Sequence, residues 1–246
     1  AMLVIRAIQS GIDLIVEKPN AIPSISGHSG LVSMVPLQVM KSIDADKDIF
    51  DQRHTILIGG APLPERYLSQ LQEKKVNAYI TYGMTETASH VALKNILKSD
   101  DFQVLGDSRI DTDHRDCLRI NGTLTDHEWL QTNDMVALTS ETSFRWIGRA
   151  DFVINTGGYK VNPEAVEEIL QKAIKKPILI APEVDEILGQ KVILLIESDK
   201  PFDIDHSIFN RLHAYSKPKR IVFAGSFIYT STGKIDRLKT AKKYLK

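Results

Sequence analysis

The segment Thr81–Thr87 combines an aromatic ring, a glycine, hydroxyl groups and a carboxylate. A tyrosine such as Tyr82 can stack on a planar base, and the hydroxyl of Thr85 can donate to phosphate oxygens. Glu86 offers the hard oxygen that suits Mg²⁺, an ion that usually takes one or two carboxylates beside substrate phosphates. A glycine turn followed by a polar helix start would account for the same residues without a ligand.

Three charged residues further along the chain could complete chemistry at a phosphate. Lys234 lies in the Ser-, Thr- and Gly-rich run Thr230–Arg237, which exposes its ammonium. An ammonium there can bridge a carboxylate and an α-phosphate while charge moves onto a leaving group. Asp134 can accept from two vicinal hydroxyls, with Arg149 holding it in place. An ordinary loop turn at Asp134 and a surface ion pair at Arg149 are the alternatives.

Two glycine pairs lie where a ligand could approach the backbone. The run Gly59-Gly60-Ala61-Pro62 comes between an apolar strand-like segment and a helical one, and small residues there let a planar ligand come close. Gly157 and Gly158 allow a tight loop that a narrow ligand can pass. Turn formation alone would explain the run Gly59-Gly60-Ala61-Pro62 equally well. A structural glycine turn is also nearly as good an explanation for Gly157.

The elements that must position these residues alternate between strand and helix up to about residue 97. Thr55–Ile58 and Val76–Thr81 read as strands, and Pro64–Lys74 reads as a helix with proline in its first turn. Ile12–Val16 is a continuous apolar run that predicts a buried strand. Such alternation predicts an α/β fold with a mostly parallel sheet, so the ligand-binding runs would follow strand ends.

Beyond residue 97 the pattern changes twice. Residues 98–150 hold short strand-like pieces separated by polar turns such as Asn121-Gly122, which predicts a small antiparallel β unit. Residues 151–246 begin with a predicted strand at Phe152–Ile154 and a helix opened by Asn162-Pro163, with a further helix near Ser207–Leu212. We therefore expect residues 1–150 to form part of a large domain and 151–246 to form a separate α+β domain.

In this order and with these gaps, the motifs resemble those of the adenylate-forming enzymes, which include acyl-CoA synthetases, luciferases and the adenylation domains of peptide synthetases. The resemblance implies a ligase that uses ATP, Mg²⁺ and coenzyme A, with Lys234 and Thr85 as catalytic residues and Glu86 as the metal ligand. It implies a pivot at Asp151 that reorients a mobile C-terminal domain. The residues that it implies for nucleotide or coenzyme A binding are Gly59, Gly60, Ala61, Pro62, Tyr82, Gly83, Met84, Asp134, Arg149 and Gly158.

Within that family, the run from Thr81 to His90 resembles most the ligases that join o-succinylbenzoate to coenzyme A in menaquinone biosynthesis. The resemblance places Arg6 and Ser33 where those enzymes bind the succinyl carboxylate. A guanidinium paired with a carboxylate is physically sensible. An ordinary arginine on a helix surface is an equal alternative for Arg6. Aryl- or fatty-acyl-CoA ligases are the runner-up within the family.

One part of the family pattern does not occur in the chain. The Gly-, Ser-, Thr- and Lys-rich phosphate loop, which in the family lies well upstream of the tyrosine motif, is not recognisable. We therefore expect a truncated ligase that lacks the first part of its large domain and whose apolar faces favour association with another chain or copy. A non-catalytic remnant that binds a nucleotide or a partner is the alternative from a different class.

Composition excludes several other classes. The chain has 246 residues, with 31 Lys plus Arg against 31 Asp plus Glu, so a broad surface for nucleic acid is not indicated. No apolar run is long enough for a membrane span, and we expect none. Cys117 is the only cysteine, so no disulfide forms within the chain. The N-terminus lacks a signal-peptide pattern, which favours the cytoplasm, and the spacing of the seven histidines does not indicate a zinc site.

Overall fold

The structure is a computed structural model that describes residues 2–24, 30–47, 49–50, 53–230 and 233–245. Ser231 and Thr232 of the C-terminal motif, and His28, lie outside the described residues. The α-helices are α1 (Met2–Ser10), α2 (Pro36–Asp44), α3 (Glu65–Glu73), α4 (Pro163–Gln171) and α5 (Arg237–Tyr244). The strands are β1 (Gly30–Met34), β2 (His54–Ile58), β3 (Ala78–Gly83), β4 (His90–Asn95), β5 (Phe102–Val104), β6 (Arg109–Thr112), β7 (Cys117–Asn121), β8 (Leu130–Ser140), β9 (Ser143–Arg149), β10 (Ile154–Thr156), β11 (Tyr159–Val161), β12 (Ile178–Asp185), β13 (Gly189–Glu197) and β14 (Arg220–Ala224). Short 3₁₀ helices lie at Thr85–Thr87, Thr123–Thr125, Ala150–Phe152, His206–Arg211 and Ala214–Ser216.

The larger sheet has the strand order β1-β2-β3-β4-β5-β9-β8-β7-β6. Its first two pairings, β1 with β2 and β2 with β3, are parallel. From β3 onward the pairings to β4, β5 and β9 are antiparallel. The expected α/β fold is confirmed, but the large sheet is mixed, because the expected antiparallel β unit continues the same hydrogen-bonded order instead of forming a sheet of its own.

The chain divides into two compact units. Unit 1 takes the chain up to Asp111 together with Arg119–Leu130 and Leu138–Arg145. Unit 2 takes Thr112–Leu118, Gln131–Ala137 and the chain from Trp146 onward. Its own sheet has the order β11-β10-β13-β12, with β14 parallel to β13. The predicted boundary after residue 150 stays a prediction.

The core of unit 1 lies between the parallel strands and helices α2 and α3. Val39 of α2, Leu71 of α3, and Ile56 and Ile58 of β2 are fully buried in one apolar cluster. Strand β2 is central and therefore has apolar residues on both faces, as expected of a parallel strand covered on both sides. This packing fixes where β2 and β3 end, and those ends carry the glycine motifs.

Unit 2 has two apolar cores on opposite faces of β12 and β13. Ile180 and Leu194 face a cluster with Leu170 of α4. The alternate residues, such as Leu195, face a second cluster with Phe227. Because successive side chains on a strand point to opposite faces, the continuous apolar run in β13 indicates a strand covered on both sides.

Local sequence explains where two helices begin and end. Helix α1 ends at Ser10, and Gly11 follows with φ of +61°, a left-handed value that glycine adopts without strain. Helix α4 begins after Asn162, whose side-chain oxygen accepts from the Ala165 amide at 3.1 Å, and Pro163 occupies the first turn. The start of α4 agrees with the sequence-based expectation.

Two sequence-based expectations about strands were wrong. Ile12–Val16 is not a strand, and the exposed fractions of Ile15 and Val16 are 64% and 79%. An apolar run becomes a strand only where a neighbouring strand accepts its hydrogen bonds, and no strand in the described part of the chain pairs with this run. Phe152 ends a 3₁₀ helix, so β10 starts only at Ile154. The helix predicted near Ser207–Leu212 is confirmed as the 3₁₀ helix His206–Arg211. Within the described residues, no helix has the length and apolar character needed to cross a bilayer.

Candidate active site

The ends of β1, β2 and β3 meet at one edge of unit 1. The Gly59 amide, just after β2, donates to the Met34 carbonyl at the end of β1, with a distance of 3.1 Å. A Cβ atom at Gly59 would collide with Oγ1 of Thr81 on β3. Glycine at position 59 therefore leaves room for the Thr81 hydroxyl, which a larger residue would displace.

A β-bulge at the end of β3 shapes the tyrosine motif. The register of β3 with β4 shifts between Tyr82 and Gly83, and a Cβ at Gly83 would collide with the backbone of Ser89 and His90. Bulges of this kind re-aim side chains beside functional sites. The bulge brings Ser89 and His90 next to the glycine.

The 3₁₀ helix Thr85–Thr87 is held by its last residue. The buried Thr87 hydroxyl accepts a hydrogen bond from the Met84 amide at 3.1 Å and donates one to the Ser89 carbonyl at 2.7 Å. Thr85 and Glu86 are exposed. The turn thus uses Thr87 for structure and leaves the other two polar side chains to solvent.

A cavity of about 380 Å³ opens at this edge. It is lined by Gly60, Thr81, Gly83, Met84, Thr85, Ala88, Ser89 and His90. Four of these, Gly60, Gly83, Met84 and Thr85, are among the predicted site residues. The predicted residues Gly59, Ala61, Pro62, Tyr82 and Glu86 lie in the same two segments but do not line the cavity.

Tyr82 packs away from this cavity. Its ring makes edge contacts with Phe102 and Phe144, at centroid distances of 5.8 and 5.2 Å. The reason is the alternation of side chains along β3, since Thr81 and Gly83 line the cavity and the residue between them faces the other side. Stacking of Tyr82 on a base stays a prediction.

Arg6 of α1 reaches the rim of the cavity. Its Nη2 donates to the Ser89 hydroxyl at 3.2 Å. Burial, together with the positive charge of Arg6, lowers the pKa of His90. A neutral His90 beside a guanidinium leaves one positive charge at this rim, which suits an anion. Ser33, the other predicted substrate residue, is exposed on β1 opposite Leu57 and does not line the cavity.

Unit 2 brings together Asp134, Arg149 and Asp151. The Arg149 guanidinium lies 3.5 Å from the Asp134 carboxylate and 2.6 Å from that of Asp151. Trp146 Nε1 donates to Asp134 at 3.3 Å, and Asn133 donates to Asp151 at 3.2 Å. The Asp134 side chain is 13% exposed and that of Arg149 is 42% exposed, so the pair offers a half-open polar surface for hydroxyl groups.

Gly157 and Gly158 form the two-residue turn between β10 and β11. Their φ values are +56° and +82°, and Thr156 pairs with Tyr159 across the turn. Two positive φ values identify the type I′ hairpin, which glycine favours. A Cβ at Gly158 would meet no atom within 4 Å, so no neighbouring side chain packs against this side of the turn.

Lys234 lies on the second arm of a short hairpin that we call the Lys234 hairpin, whose described residues are 228–230 and 233–236. Tyr229 and Ile235 form an antiparallel bridge across it. The Thr230 amide donates to the Lys234 carbonyl at 2.8 Å, and Gly233 turns the chain with φ of +79°. The backbone of Lys234 is therefore fixed while its side chain is exposed.

A magnesium ion would depend on the nucleotide for most of its ligands. Within the described parts of the chain, no group of three or more His, Cys, Asp or Glu side chains could hold a metal ion. Glu86 is a single exposed carboxylate beside the Thr85 hydroxyl. One carboxylate oxygen could supply a single ligand to Mg²⁺, an ion that keeps several waters and takes its other ligands from substrate phosphates.

Similarity to known proteins identifies the family. The chain is 34% identical to a solved structure of an AMP-forming acyl-CoA synthetase/AMP-acid ligase II-like protein from Dyadobacter fermentans, covering 92% of this chain and 69% of that one, with a TM-score of 0.53. The chain belongs to the AMP-forming acyl-CoA synthetase family. No family profile matches it.

Other members of this family share the fold at lower identity. The o-succinylbenzoate CoA synthetase of Bacillus subtilis, solved with its acyl-adenylate intermediate, is 20% identical with a TM-score of 0.72, covering 85% of this chain and 50% of that one. Its complex with ATP and a magnesium ion has a TM-score of 0.71 at 18% identity, covering 97% of this chain and 54% of that one.

Two curated relatives of the chain are both named 2-succinylbenzoate–CoA ligase. The 2-succinylbenzoate–CoA ligase of Haemophilus influenzae is 29% identical over 194 residues, covering 70% of this chain and 42% of the ligase. The ligase of Enterococcus faecalis is 27% identical over 244 residues, covering 85% of this chain and 50% of the ligase. The chain thus spans about half the length of the curated relatives that it matches.

The sequence-based list missed four residues that line the cavity: Thr81, Ala88, Ser89 and His90. Thr81 lies inside the recognised motif and could have been included from strand alternation, because it precedes Tyr82 by one position. Ser89 and His90 reach the cavity only through the bulge at Gly83. A β-bulge has no sequence signal that is specific enough to reveal this.

Proposed function

We propose that this chain carries the catalytic part of an ATP-dependent carboxylate–CoA ligase that acts through an acyl-adenylate. In the first half-reaction a carboxylate oxygen attacks the α-phosphorus of ATP, and pyrophosphate leaves. In the second, the thiol of coenzyme A attacks the acyl carbon, and AMP leaves. The observation that carries the proposal is the cavity lined by Gly60, Gly83, Met84 and Thr85 at the ends of β2 and β3, where open α/β sheets bind ligands.

The proposed roles follow from the chemistry of each side chain. Thr85 donates to a phosphate oxygen, and Glu86 supplies one oxygen ligand to Mg²⁺, which neutralises phosphate charge when bound. Asp134, held by Arg149, accepts from the ribose hydroxyls. Lys234 stabilises the charge that develops as the carboxylate oxygen bonds to phosphorus.

We propose o-succinylbenzoate as the acid, held by its distal carboxylate at Arg6. The contact of Arg6 with Ser89 at the cavity rim supports this assignment, because a guanidinium at a partly buried rim is suited to a carboxylate. The names of the curated relatives support it independently. Ser33 stays a predicted contact that no observation beyond the sequence supports.

We further propose that residues 1–150 and 151–246 act as separate functional domains with a pivot at Asp151. The 3₁₀ helix Ala150–Phe152 separates β9 from β10, so a change of backbone torsions there need not disrupt either strand. In this proposal Lys234 serves the first half-reaction. The open turn at Gly158 serves the second by admitting the pantetheine arm.

Binding of a sulfamoyl analogue of o-succinylbenzoyl-adenylate is the direct test. It requires the acid, ribose and adenine contacts but not a triphosphate loop. We expect calorimetry to show one molecule bound per chain, in competition with AMP, and weakened about tenfold by Lys234→Ala. Lys242→Ala, which removes an exposed lysine of α5, is the matched control and leaves the affinity unchanged.

The remaining outcomes separate the alternatives. Equal affinity for analogues with and without the distal carboxylate would leave a ligase for another acid. Binding of AMP without binding of the acyl-adenylate analogue would favour a non-catalytic nucleotide-binding chain. Absence of binding for both molecules would contradict the proposed function. Pyrophosphate release from ATP with the acid then measures the first half-reaction itself.

A further inference from the structure

A buried ion pair anchors the start of α5. Arg237 donates from Nη1 and Nη2 to the two carboxylate oxygens of Glu167 on α4, both at 2.8 Å. The two side chains are 18% and 17% exposed. A bidentate arginine–carboxylate pair is both strong and geometrically specific.

The same two side chains also bind the backbone of β12. Arg237 donates to the Ile180 carbonyl at 2.9 Å, and Glu167 accepts from the Ile180 amide at 2.5 Å. Burial raises the pKa of Glu167, whereas the charge of Arg237 and these hydrogen bonds lower it. Arg237 is thus tied to α4 and β12, which share an apolar core of unit 2 through Leu170 and Ile180.

The Lys234 hairpin ends at this anchor. Lys234 precedes Arg237 by three residues, and the Asp236 amide between them donates to the Ile228 carbonyl across the hairpin at 2.8 Å. On the other side, Tyr229 donates its hydroxyl to Glu197 of β13 at 2.6 Å. The Ile228 amide also donates to Oγ1 of Thr240 on α5, and Ile235 packs against the second apolar cluster of unit 2. Arg237 adds a charged contact on the side of the hairpin that follows Lys234.

The anchor also touches the segment proposed as a pivot. The Arg237 guanidinium lies over the Phe152 ring, 5.1 Å from its centroid. Glu164, one turn before Glu167 on α4, accepts from the backbone amide of Arg149 and is attracted by Arg237. A single cluster thus connects the backbone at residues 149–152 with the hairpin that presents Lys234.

We propose that Arg237 is a positioning residue: its buried pairing with Glu167 holds the Lys234 hairpin so that the ammonium meets the adenylate. The inference rests on the proposed function for its chemical consequence, and on the contacts of unit 2 for its mechanical part. Loss of the pair leaves a buried charge unpaired and lets the hairpin shift. A displacement of about 1 Å at a reacting group costs about two orders of magnitude in rate.

Hydrogen exchange tests the mechanical part without any ligand. In Arg237→Gln and in Glu167→Gln, we expect the amides of Thr230, Gly233 and Asp236 to exchange at least about tenfold faster than in the wild type, while those of β13 keep their protection. Arg220→Gln breaks the exposed pair of Arg220 with Glu183 and is the matched control, with hairpin exchange unchanged. Unchanged hairpin exchange in both test variants would overturn the proposal.

A double-mutant cycle on binding of the acyl-adenylate analogue tests the chemical part. We expect Arg237→Gln to weaken binding about as much as Lys234→Ala, the double variant to lose no more than either, and Arg237→Lys to recover part of the affinity. The proposal would be overturned if the losses of binding affinity in the double variant were additive. It would also be overturned if β13 and the Lys234 hairpin lost equal protection from hydrogen exchange, because Arg237 would then have a purely structural role. Faster hairpin exchange with no analogue binding by the wild type would contradict the proposed function while keeping the anchor.

Discussion

Arg149 donates two hydrogen bonds to the Asp151 carboxylate, from Nε at 3.2 Å and from Nη2 at 2.6 Å. The same guanidinium lies 3.5 Å from Asp134. The residue predicted to hold the ribose acceptor and the residue predicted as the pivot are therefore direct partners. A backbone change at Asp151 must rearrange the pair that is proposed to bind ribose, which would couple nucleotide binding to conformation.

We expect Asp134→Ala to weaken AMP binding about tenfold, because the variant loses the acceptor proposed for two hydroxyl groups. Calorimetric titration with AMP measures this loss. Asp203→Ala is the control, since Asp203 is an exposed carboxylate of the same unit. We expect the Asp203→Ala variant to bind AMP with the affinity of the wild type. An equal affinity in both variants would remove Asp134 from the ribose site.

Asp151→Pro restricts one backbone torsion near −65° at the proposed pivot. We expect one half-reaction to persist and the other to fall, because a single conformation is favoured. The measurements are pyrophosphate release for the first step and thioester formation from a supplied acyl-adenylate for the second. Asp151→Asn, which keeps the backbone free, should change the free energy of unfolding by less than about 1 kcal/mol, since the ion pair is half exposed. Two unaffected half-reactions in the proline variant would refute the pivot.

Gly83→Ala should lower the free energy of unfolding by about 1–3 kcal/mol, because its Cβ would collide with the backbone of Ser89 and His90. Urea unfolding measures the loss. Gly30→Ala is the matched control on a strand of the same sheet, where an added Cβ meets no atom within 4 Å and should have a much smaller effect. A Gly83→Ala protein as stable as the Gly30→Ala protein would show that the bulge relaxes at little cost.

Arg6→Ala should weaken binding of an adenylate analogue that carries the distal carboxylate by about 1.5–3 kcal/mol, the range for a lost charge-assisted hydrogen bond. The matched ligand control is the benzoyl-adenylate analogue, which lacks that carboxylate and should bind both proteins equally. Titration of both ligands into both proteins gives the comparison. Similar losses of affinity for the two ligands would mean that Arg6 supports the cavity wall and does not bind the distal carboxylate.

Glu164 provides a pH-dependent test. Burial raises the pKa of its carboxyl above the ordinary value of 4.5, and Arg237 only partly opposes this. The Oε2 atom is shielded from solvent without a hydrogen-bond partner among the described residues. Since the folded state then holds the proton more tightly than the unfolded state, this group's contribution to stability is full below about pH 4.5 and is lost as pH rises through the raised pKa.

We therefore expect the Glu164→Gln variant to lose less stability than the wild type as the pH rises above about 4.5. Urea unfolding at several pH values measures the two slopes. Arg237 of α5, Glu167 of α4 and the Arg149 amide face this carboxyl and stay in both proteins. Glu168→Gln, at an exposed position of the same helix, should keep the wild-type slope. Parallel curves for the wild type and Glu164→Gln would contradict the assignment.

Much of the fold could be predicted because it depends on residues close in sequence. The Asn162-Pro163 start of α4, the glycine that ends α1 and the β2 strand before Gly59 all follow from capping, turn chemistry and apolar spacing. The same local rules failed at Ile12–Val16, because an apolar run does not reveal whether another strand lies beside it.

The sequence by itself determined which chemical groups the chain offers: the tyrosine and lysine motifs, the glycine turns and the acidic residues are readable from residue types and order. Tertiary structure alone decided how they are used. Alternation along β3 turned Tyr82 toward Phe102 and Phe144, and the bulge at Gly83 brought His90 to the cavity. Arg237 and Glu167 are 70 positions apart, so their pairing depends on how α4 and α5 pack on β12. Local interactions are encoded by neighbours in the chain, whereas long-range partners are selected only when the whole core packs.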